Sequence, residues 1–325
     1  MTEMTYRDAL RAGLREEMLR DNRVFLLGED IGRNWGGAFS VTKGLAEEFG
    51  DDRVRDTPIS ENTIVGAAVG AAITGLLPVA EIMFGDLIAL AMDQVCNQAA
   101  KMRYMFGGQT SVPLVVRTVF GGGKNIASHH SQSLEAWFMH TPGLKVAVPA
   151  FASDVKGLIK AAIRDPNPVM FFEHKLVYDK KEEVPDGDYV IPLGEAKVRR
   201  EGTDVTVWGT FMMVHKALAV AQELAKEGIS VEVIDPRTLV PLDKKTLIDS
   251  VKKTGRLVLV TEETKTGATT AEVAAVVQEE AFDWLDAPIK RVNAPDTPVP
   301  FAPSLENRFI PDEKRITEAI REVLK

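Results

Sequence analysis

Short apolar runs alternate with longer helical stretches along most of this chain, and this alternation limits the folds it can adopt. Six runs in the first half, several of them rich in β-branched residues, predict strands at Val24–Gly28, Val54–Thr57, Val79–Phe84, Val112–Phe120, Leu144–Pro149 and Val169–Glu173. Helices are predicted between them at Val41–Phe49, Glu61–Leu76, Leu87–Phe106, Ser131–Met139 and Asp154–Ile163. Strands and helices in this order favour parallel sheets with helices on both faces.

The second half repeats the same order of elements. Its predicted strands are Val205–Trp208, Val231–Asp235, Leu257–Thr261 and Ile289–Val292, and its predicted helices are Lys216–Lys226, Lys244–Lys252, Ala271–Phe282 and Glu313–Val323. Between the halves, Asp179–Leu193 is charged and carries two prolines and a glycine, which is typical of an exposed linker. We therefore expect an α/β fold of two parallel-sheet sandwich domains, at residues 1–178 and 204–325, joined by a linker at residues 179–203.

Composition excludes several classes of protein. Apolar residues make up 45% of the 325 residues and charged residues 26%, which is the balance of an ordinary globular protein. The net charge of −8 is the wrong sign for a nucleic-acid binder. The only cysteine, Cys96, can form neither an internal disulfide nor a cysteine-held metal or iron–sulfur site, and it favours a reducing compartment. We expect a cytoplasmic protein that does not bind nucleic acid.

Two segments could suggest targeting or membrane insertion. Residues 1–20 mix acids and bases throughout, so they predict an amphipathic helix capped by Thr5 rather than a signal or transit peptide. Thr63–Ala80 carries no charge and reaches the length of a membrane span. Because it contains Pro78 and many small residues, and ends at Glu81, a buried helix followed by a buried strand explains it better. We expect no membrane segment.

The helix predicted at Glu61–Leu76 contains three glycines, Gly66, Gly70 and Gly75. Each glycine inside a helix costs about 1 kcal/mol relative to alanine, so close backbone approach must offset the cost. Either the helix packs tightly within its own domain, or it crosses another helix at a subunit interface. The sequence leaves both open.

Common catalytic motifs are missing, and two local clusters remain. The run Gly121–Lys124 lacks the spacing of a phosphate-binding loop, and no third ligand lies near His129 and His130 at metal spacing. The first cluster is residues 56–62. There Glu61 is either a first-turn acid that suits the helix dipole, beside a cap from Thr57 or Ser60, or a buried carboxyl group with a raised pKa that exchanges protons near neutral pH.

The second cluster is the run Ser128–Ser133, SHHSQS. It follows a predicted strand and a glycine-rich turn, and the carboxyl end of a parallel strand is where α/β proteins bind ligands. The alternative is that Ser128 or Ser131 caps the next helix while both histidines face solvent.

These clusters belong to strings that resemble a known family over essentially the whole chain. The strings are DTPISEN, GAAVGAAITGLLPVAEIMF, MDQVCNQAAKMRYMFGG, GGGKNIASHHSQSLEAWFMHTPGLKVAVP, AIRDPNPVMFFEHKLVY and VEVIDPRTLVPLD. They resemble the β subunits of the thiamine-diphosphate-dependent decarboxylating components of 2-oxo acid or acetoin dehydrogenase complexes, in the transketolase-like superfamily. The resemblance implies a pyrimidine-binding domain followed by a transketolase C-terminal domain.

The implied activity is that of an oxidoreductase of the pyruvate dehydrogenase type. It would decarboxylate a 2-oxo acid and pass the acyl group to a lipoyl domain, and the alternatives are cleavage of acetoin or a branched-chain 2-oxo acid substrate. Members of the family hold the cofactor diphosphate through magnesium with a Gly-Asp-Gly stretch, which this chain lacks. The resemblance therefore implies an α subunit that holds magnesium, a heterotetramer of two α and two β chains, and a lipoyl-bearing acyltransferase component as partner.

Two functions of other classes stay open beside this one. A self-sufficient transketolase-type enzyme would bind the cofactor without a second chain, and a non-catalytic docking protein would tolerate the loss of its candidate site residues.

The resemblance assigns roles by position. Glu61 matches the catalytic glutamate, which forms a hydrogen bond with the aminopyrimidine ring of the cofactor. His130 matches an active-site histidine that handles protons or orients groups when the lipoyl group arrives, whereas the role of His129 is open. Ile59, Met83 and Leu87 match the pyrimidine pocket, and Trp35 matches an aromatic residue near the cofactor.

One further match concerns a possible structural potassium ion. In relatives, the neighbourhood of Leu114, Ala162, Asp165 and Asn167 holds this ion, mostly through main-chain oxygens, and oxygen ligands suit such a cation. The alternative is an ordinary helix end closed by Pro166 and Pro168.

Overall fold

A computed structural model describes residues 1–325 of the chain. The strands are β1 (Thr2–Thr5), β2 (Val24–Gly28), β3 (Val54–Asp56), β4 (Leu77–Ile82), β5 (Val115–Phe120), β6 (Lys145–Ala147), β7 (Val169–His174), β8 (Lys181–Val184), β9 (Lys197–Arg200), β10 (Val205–Gly209), β11 (Val231–Asp235), β12 (Thr238–Val240), β13 (Leu257–Thr264) and β14 (Lys290–Ala294). The α-helices are α1 (Tyr6–Arg20), α2 (Leu45–Phe49), α3 (Glu61–Ile73), α4 (Ala100–Met105), α5 (Glu135–Met139), α6 (Ala152–Arg164), α7 (Met212–Ala225), α8 (Lys244–Thr254), α9 (Thr269–Ala281), α10 (Pro303–Phe309) and α11 (Glu313–Val323).

The first sheet has seven strands in the order β12-β6-β7-β5-β4-β2-β3. Strands β2 to β7 run parallel to one another, and their residues are largely apolar because both faces of the sheet are covered. Helices α1 and α6 bury their apolar stripes on one face. Helix α3 and the segment that follows β4 cover the opposite face.

The second sheet has five strands in the order β14-β13-β10-β11-β9. Helices α7 and α11 cover one face. Helices α8 and α9 cover the other, and their apolar side chains belong to the same core as those of α3. One continuous core therefore joins the two sandwiches, which gives the two α/β domains a shared packed interface.

The structure confirms the expected α/β class and adds edge strands that the sequence did not reveal. Strand β8 lies in the predicted linker and pairs antiparallel with β1, and β9, also in the linker, adds an antiparallel edge to the second sheet. Strand β12 crosses from the second half and pairs antiparallel with β6 of the first sheet. Both sheets are therefore mixed, and the predicted linker contains two short paired strands.

Two of the predicted helices differ from the structure in more than the position of one end. Residues 2–5 form β1, so the first helix starts at Tyr6, where the Thr5 hydroxyl caps it by accepting a hydrogen bond from the Asp8 N–H (3.1 Å). The single helix predicted at Leu87–Phe106 is a 3₁₀ turn at Gly85–Ala91, a π-helix at Asp93–Ala99 and then α4. No helix of the structure has the length and apolar character needed to cross a membrane.

Candidate functional site

The candidate site lies at the carboxyl edge of the first sheet. Strands β5, β4, β2 and β3 are parallel neighbours in that order, so the segments that follow them meet at one edge. Glu29 follows β2, Glu61 follows β3, Met83 follows β4 and His130 follows β5. This edge is where open α/β sheets bind their ligands.

Glu61 is the first residue of α3 and is buried, with 6% of its surface exposed. Ser60 does not cap the helix, because its hydroxyl donates to the Thr63 hydroxyl instead (2.8 Å). Thr57 uses its hydroxyl on the Pro58 carbonyl (3.0 Å). No donor of the chain pairs with the Glu61 carboxylate, so its oxygens are available at the helix N-terminus to a partner from outside the chain.

A second acid, Glu29, faces this site and was missed by the sequence analysis. Partial burial, helped by the charges of Asp30 and Glu61, raises the pKa of Glu29 above its ordinary value. Its position directly after the apolar strand β2 is the signal that could have identified it.

His130 is half-buried and its ring lies edge-on to Phe84, with ring centroids 4.5 Å apart and an interplanar angle of 84°. His129 is exposed. Neither Ser128 nor Ser131 caps the next helix, because α5 begins only at Glu135, so this alternative is wrong. Phe84, which packs against the imidazole, is a further site residue that the sequence analysis did not identify.

The loop that carries His130 comprises residues 121–134, between β5 and α5, and we call it the histidine loop. Its glycines are required by packing. Gly121 and Gly123 have φ of +87° and +92°, and a Cβ on Gly121 would lie 2.0 Å from Nε2 of His174. The glycine run therefore serves close packing of the loop over β7, not phosphate binding.

Asp86 and Lys175 hold the histidine loop from within its own domain. Oδ1 of Asp86 accepts hydrogen bonds from the backbone N–H (3.1 Å) and the side-chain amide (2.9 Å) of Gln132. The Lys175 ammonium donates to the Gly121 carbonyl (2.8 Å). Burial lowers the pKa of Lys175 to about 8, although nearby acids, Asp86 first among them, oppose the shift.

The remaining candidates for a pyrimidine pocket lie along the same edge. Ile59 and Trp35 expose 75% and 67% of their surface, whereas Met83 and Leu87 are half-buried. Apolar side chains and the buried Glu61 carboxyl group therefore lie along one edge of the sheet. An aminopyrimidine ring would need such groups, a carboxyl group that forms a hydrogen bond with a ring nitrogen and apolar side chains against the faces of the ring.

Beneath the site, a buried ion network crosses the first sheet. Arg117 donates to both carboxylate oxygens of Glu173 (2.8 and 3.0 Å) and to Glu81 (2.7 Å), and the Tyr178 hydroxyl donates to Glu173 (2.7 Å). Burial alone would lower the pKa of Arg117, but Glu173 and Glu81 raise it. The guanidinium therefore stays charged and fixes the strands that carry the site.

The candidate potassium residues lie together at the opposite edge of the sheet. The Leu114 carbonyl accepts from the Val169 N–H (2.8 Å), and the Ala162 carbonyl accepts from the Asp165 N–H (3.3 Å). The side-chain oxygens are already engaged, because Asp165 forms an ion pair with Lys145 and also accepts from Asn167. The Asn167 oxygen accepts from Arg103 (2.6 Å).

These side chains therefore do not fit an additional cation, and only main-chain oxygens of the four residues could hold one. Elsewhere, no group of three or more His, Cys, Asp or Glu side chains is arranged to hold a metal ion.

Comparisons with known proteins agree along the whole chain. Residues 2–181 match the family described as "Transketolase, pyrimidine binding domain", and residues 194–316 match "Transketolase, C-terminal domain". A solved structure described as "Split gene transketolase, inactive beta4 tetramer" has a TM-score of 0.81 and 25% identity, over 99% of this chain and 98% of that chain.

Three relatives span almost the whole of this chain. The 2-oxoisovalerate dehydrogenase subunit beta of Bacillus subtilis is 49% identical over 99% of each chain. The acetoin:2,6-dichlorophenolindophenol oxidoreductase subunit beta of the same organism is 47% identical, over 98% of this chain and 96% of that one. The pyruvate dehydrogenase E1 component subunit beta of Rhizobium meliloti is 45% identical, over 99% of this chain and 70% of that one. The chain therefore belongs to the family of β subunits of the thiamine-diphosphate-dependent 2-oxo acid and acetoin dehydrogenases.

Proposed function

We propose that this chain, together with an α subunit, decarboxylates a small 2-oxo acid such as pyruvate and passes the acyl group to a lipoyl domain. The observation that carries the proposal is the buried, unpaired Glu61 carboxylate at the start of α3, on the same sheet edge as His130. Relatives of 45–49% identity that act on 2-oxo acids support this reaction class.

Glu61 would accept or share a proton with the aminopyrimidine ring of thiamine diphosphate, while Ile59, Met83, Leu87 and Trp35 would form the apolar walls. The cofactor supplies the nucleophile and stores the electrons. The start of α3 would hold the Glu61 carboxyl group at a fixed place, and Glu29 lies on the same edge of the sheet. His130 would orient or protonate groups at the acyl transfer step.

The α subunit would supply the other half of the site. The chain contains no Gly-Asp-Gly stretch, so we assign magnesium and the cofactor diphosphate to the α subunit in an assembly of two α and two β chains. The exposed face of α3 supports this arrangement, since a Cβ on Gly70 would meet nothing within 4 Å inside the chain. We also propose that a lipoyl-bearing acyltransferase accepts the acyl group and that the enzyme is cytoplasmic. A potassium ion, where present, would be held only by main-chain oxygens near Asp165.

Acetoin is the second candidate substrate, and a branched-chain 2-oxo acid is the third. Relatives named as acetoin-oxidising subunits are 47% and 48% identical, close to the 49% of the 2-oxoisovalerate enzyme, so identity alone does not separate the substrates. With acetoin, carbon–carbon cleavage would replace decarboxylation at the same residues.

The test is co-purification of this chain with an α chain from the same source, followed by a dye-coupled assay with pyruvate, branched-chain 2-oxo acids and acetoin. We expect thiamine diphosphate to bind the pair and not the β chain alone, and one substrate class to be preferred. Tight cofactor binding by the β chain alone would contradict the shared site and favour a transketolase-type enzyme.

A further inference from the structure

Carboxyl groups of the second domain hold the first residues of the histidine loop and the start of the helix that follows it, in addition to the contacts from its own domain. Glu306 of α10 and Glu262 and Glu263 at the end of β13 all reach across the domain interface. All three are buried, with 1%, 8% and 4% of their surface exposed. None of them belongs to the edge that carries Glu61.

Glu306 makes the most direct of these contacts. Its Oε1 accepts a hydrogen bond from the Gly123 N–H and its Oε2 accepts one from the Asn125 N–H, both at 3.0 Å. Gly123 (φ +92°) and Asn125 (φ +56°) are residue types that accept positive φ, but Ala127 (φ +64°) is not, so the loop backbone needs support from outside the loop. Two hydrogen bonds from neighbouring loop residues to one buried carboxyl group can hold such a conformation.

Glu262 supports the neighbouring residue. Its Oε2 accepts from the Gly122 N–H (3.1 Å) and its Oε1 accepts from Nε2 of His174 (3.0 Å). Nδ1 of His174 accepts from the Leu176 N–H (3.1 Å), so Nε2 carries the proton that Glu262 accepts. Although burial opposes ionisation, His174 and the Gly122 N–H lower the pKa of Glu262 to about 2, so the acceptor is charged at neutral pH.

Glu263 contacts the helix that follows the loop. Oε1 of Glu263 accepts from the Ala136 N–H (3.2 Å), at the start of α5. Between the two ends, the Gly121 N–H donates to the Gln132 carbonyl (3.1 Å), which closes the loop two residues from His130. Hydrogen bonds therefore hold the backbone on both sides of His130, and one more links the two ends of the loop.

We infer that Glu306, together with Glu262 and Glu263, positions His130, so that the second domain fixes the histidine loop for acyl transfer. This inference rests on the role proposed above for His130. The three glutamates are positioning residues, because they act through backbone N–H groups and reach His130 only through the loop. In this arrangement the second domain contributes to the chemistry without contacting the reacting atoms.

The test uses the assembled α and β subunits with cofactor and compares Glu306→Ala and Glu306→Gln with Glu223→Ala, whose side chain is 72% exposed and pairs only with Lys226. Three quantities are measured: acylation of a free lipoyl domain, dye-coupled substrate oxidation, and hydrogen–deuterium exchange of peptides that span residues 121–134. We expect Glu306→Ala to slow lipoyl acylation about 10- to 100-fold, to leave dye-coupled turnover close to wild type, and to speed exchange in the loop. Glu306→Gln keeps one acceptor oxygen and should recover part of the loss.

Two results would overturn the inference. One is unchanged lipoyl acylation by Glu306→Ala although the loop exchanges faster, and the other is an equal fall of both rates, which indicates general damage. If Glu306→Ala does not assemble, Glu306→Gln and Glu262→Gln decide the same comparison. Normal lipoyl acylation by His130→Ala would refute the proposed role of His130. If His130→Ala is defective in acylation and the Glu306 variants are not, only the positioning role of Glu306 is refuted.

Discussion

The imidazole of His130 stands edge-on against the ring of Phe84, with 4.5 Å between the ring centroids. Phe84 follows β4 and His130 follows β5, so this contact joins the ends of two neighbouring strands of the candidate site. An aromatic pair of this geometry contributes about 0.5–1.5 kcal/mol beyond the area it buries. The contact therefore fixes the plane of the histidine ring relative to the sheet edge.

His130→Ala should slow acylation of a lipoyl domain more than it slows dye-coupled oxidation of the substrate. The reason is that β4 and β2 lie between the strand that precedes His130 and the strand that precedes Glu61, and His130 is the more exposed of the two. Phe84→Leu keeps an apolar contact but removes the aromatic pair, and we expect a loss of up to about tenfold in acylation. Rates of both reactions in the assembled enzyme check this, and equal losses in the two reactions would contradict the role.

Glu61→Gln should leave the subunits assembled and remove activity. Glutamine has nearly the same volume, so the start of α3 should stay packed, but an amide cannot exchange the proton that a carboxyl group exchanges. Loss of a general acid–base group costs about 10²–10⁴-fold in rate. Size-exclusion chromatography with the α chain and the dye-coupled assay are the measurements, and near-wild-type turnover would refute the assignment.

Gly70 and Gly13 distinguish packing between chains from packing within the chain. A Cβ on Gly70 would meet nothing within 4 Å, whereas a Cβ on Gly13 would lie 2.5 Å from Cγ2 of Ile159. Gly70→Ala should therefore stabilise the β chain by up to about 1 kcal/mol through helix propensity, and Gly13→Ala should destabilise it by about 1–3 kcal/mol.

Gly70→Leu adds bulk at the same position and should weaken assembly with the α subunit. Melting temperatures of the β chain and sedimentation of α–β mixtures give both quantities. Undiminished assembly of Gly70→Leu would mean that this face of α3 is not an interface.

Arg117→Met should destabilise the first domain by about 3–5 kcal/mol, because it leaves Glu81 and Glu173 buried without their cation. Arg33→Met is the matched control, since Arg33 forms an exposed pair with Asp51 that should contribute less than about 1 kcal/mol. The shift in unfolding temperature of each variant is the measurement. Adding Glu81→Gln and Glu173→Gln to Arg117→Met should restore much of the loss, and no recovery would indicate that burial of the two acids is not the cause.

Elements with a clear local pattern were predictable from sequence, and elements that depend on distant pairing were not. Helix α11 matches its predicted bounds, because its apolar residues recur at helical spacing and Asp312 caps it by accepting from the Arg315 N–H (2.8 Å). Strands β8 and β9, with the sequences KEEV and KVRR, carry no apolar alternation. They form only because partners far along the chain, β1 and β11, offer free edges.

The same distinction applies to the candidate site. Burial of Glu61 could be predicted because the acid opens an uncharged helix inside a sheet domain. The contacts that hold the histidine loop could not, since Glu262 and Glu306 lie 140 and 183 residues from the glycines whose N–H groups they accept. Local spacing contains no information on pairs that form only when two domains pack.

Glu135 and Glu263 provide a prediction of pH-dependent stability, because both carboxyl groups are buried close together at the domain interface. Burial raises the pKa of Glu263 to about 7, and burial together with the charge of Glu263 raises the pKa of Glu135 well above its ordinary value. Glu262 and Lys175 are the other charges that act on Glu135.

In the unfolded chain Glu263 ionises near its ordinary value of 4.5, whereas in the folded chain it keeps its proton up to about pH 7. The folded state therefore binds the proton more tightly, and its stability falls as the pH rises from about 4.5 to about 7. Glu263→Gln removes this titration, so the stability of the variant relative to wild type should increase by an amount on the order of 3 kcal/mol between pH 5 and pH 8. The lost hydrogen bonds lower the stability of the variant at every pH, which leaves the trend unchanged.

Thermal unfolding of wild type, Glu263→Gln and the exposed control Glu223→Gln at several pH values measures this trend. We expect the curves of wild type and Glu223→Gln to remain parallel and that of Glu263→Gln to diverge upward. Parallel curves for all three proteins would mean that Glu263 is ionised in the folded state across this range. The two carboxylates of Glu135 and Glu263 would then need a compensating cation. Lys175 is close enough to supply it, since Glu135 is among the acids that raise the pKa of Lys175.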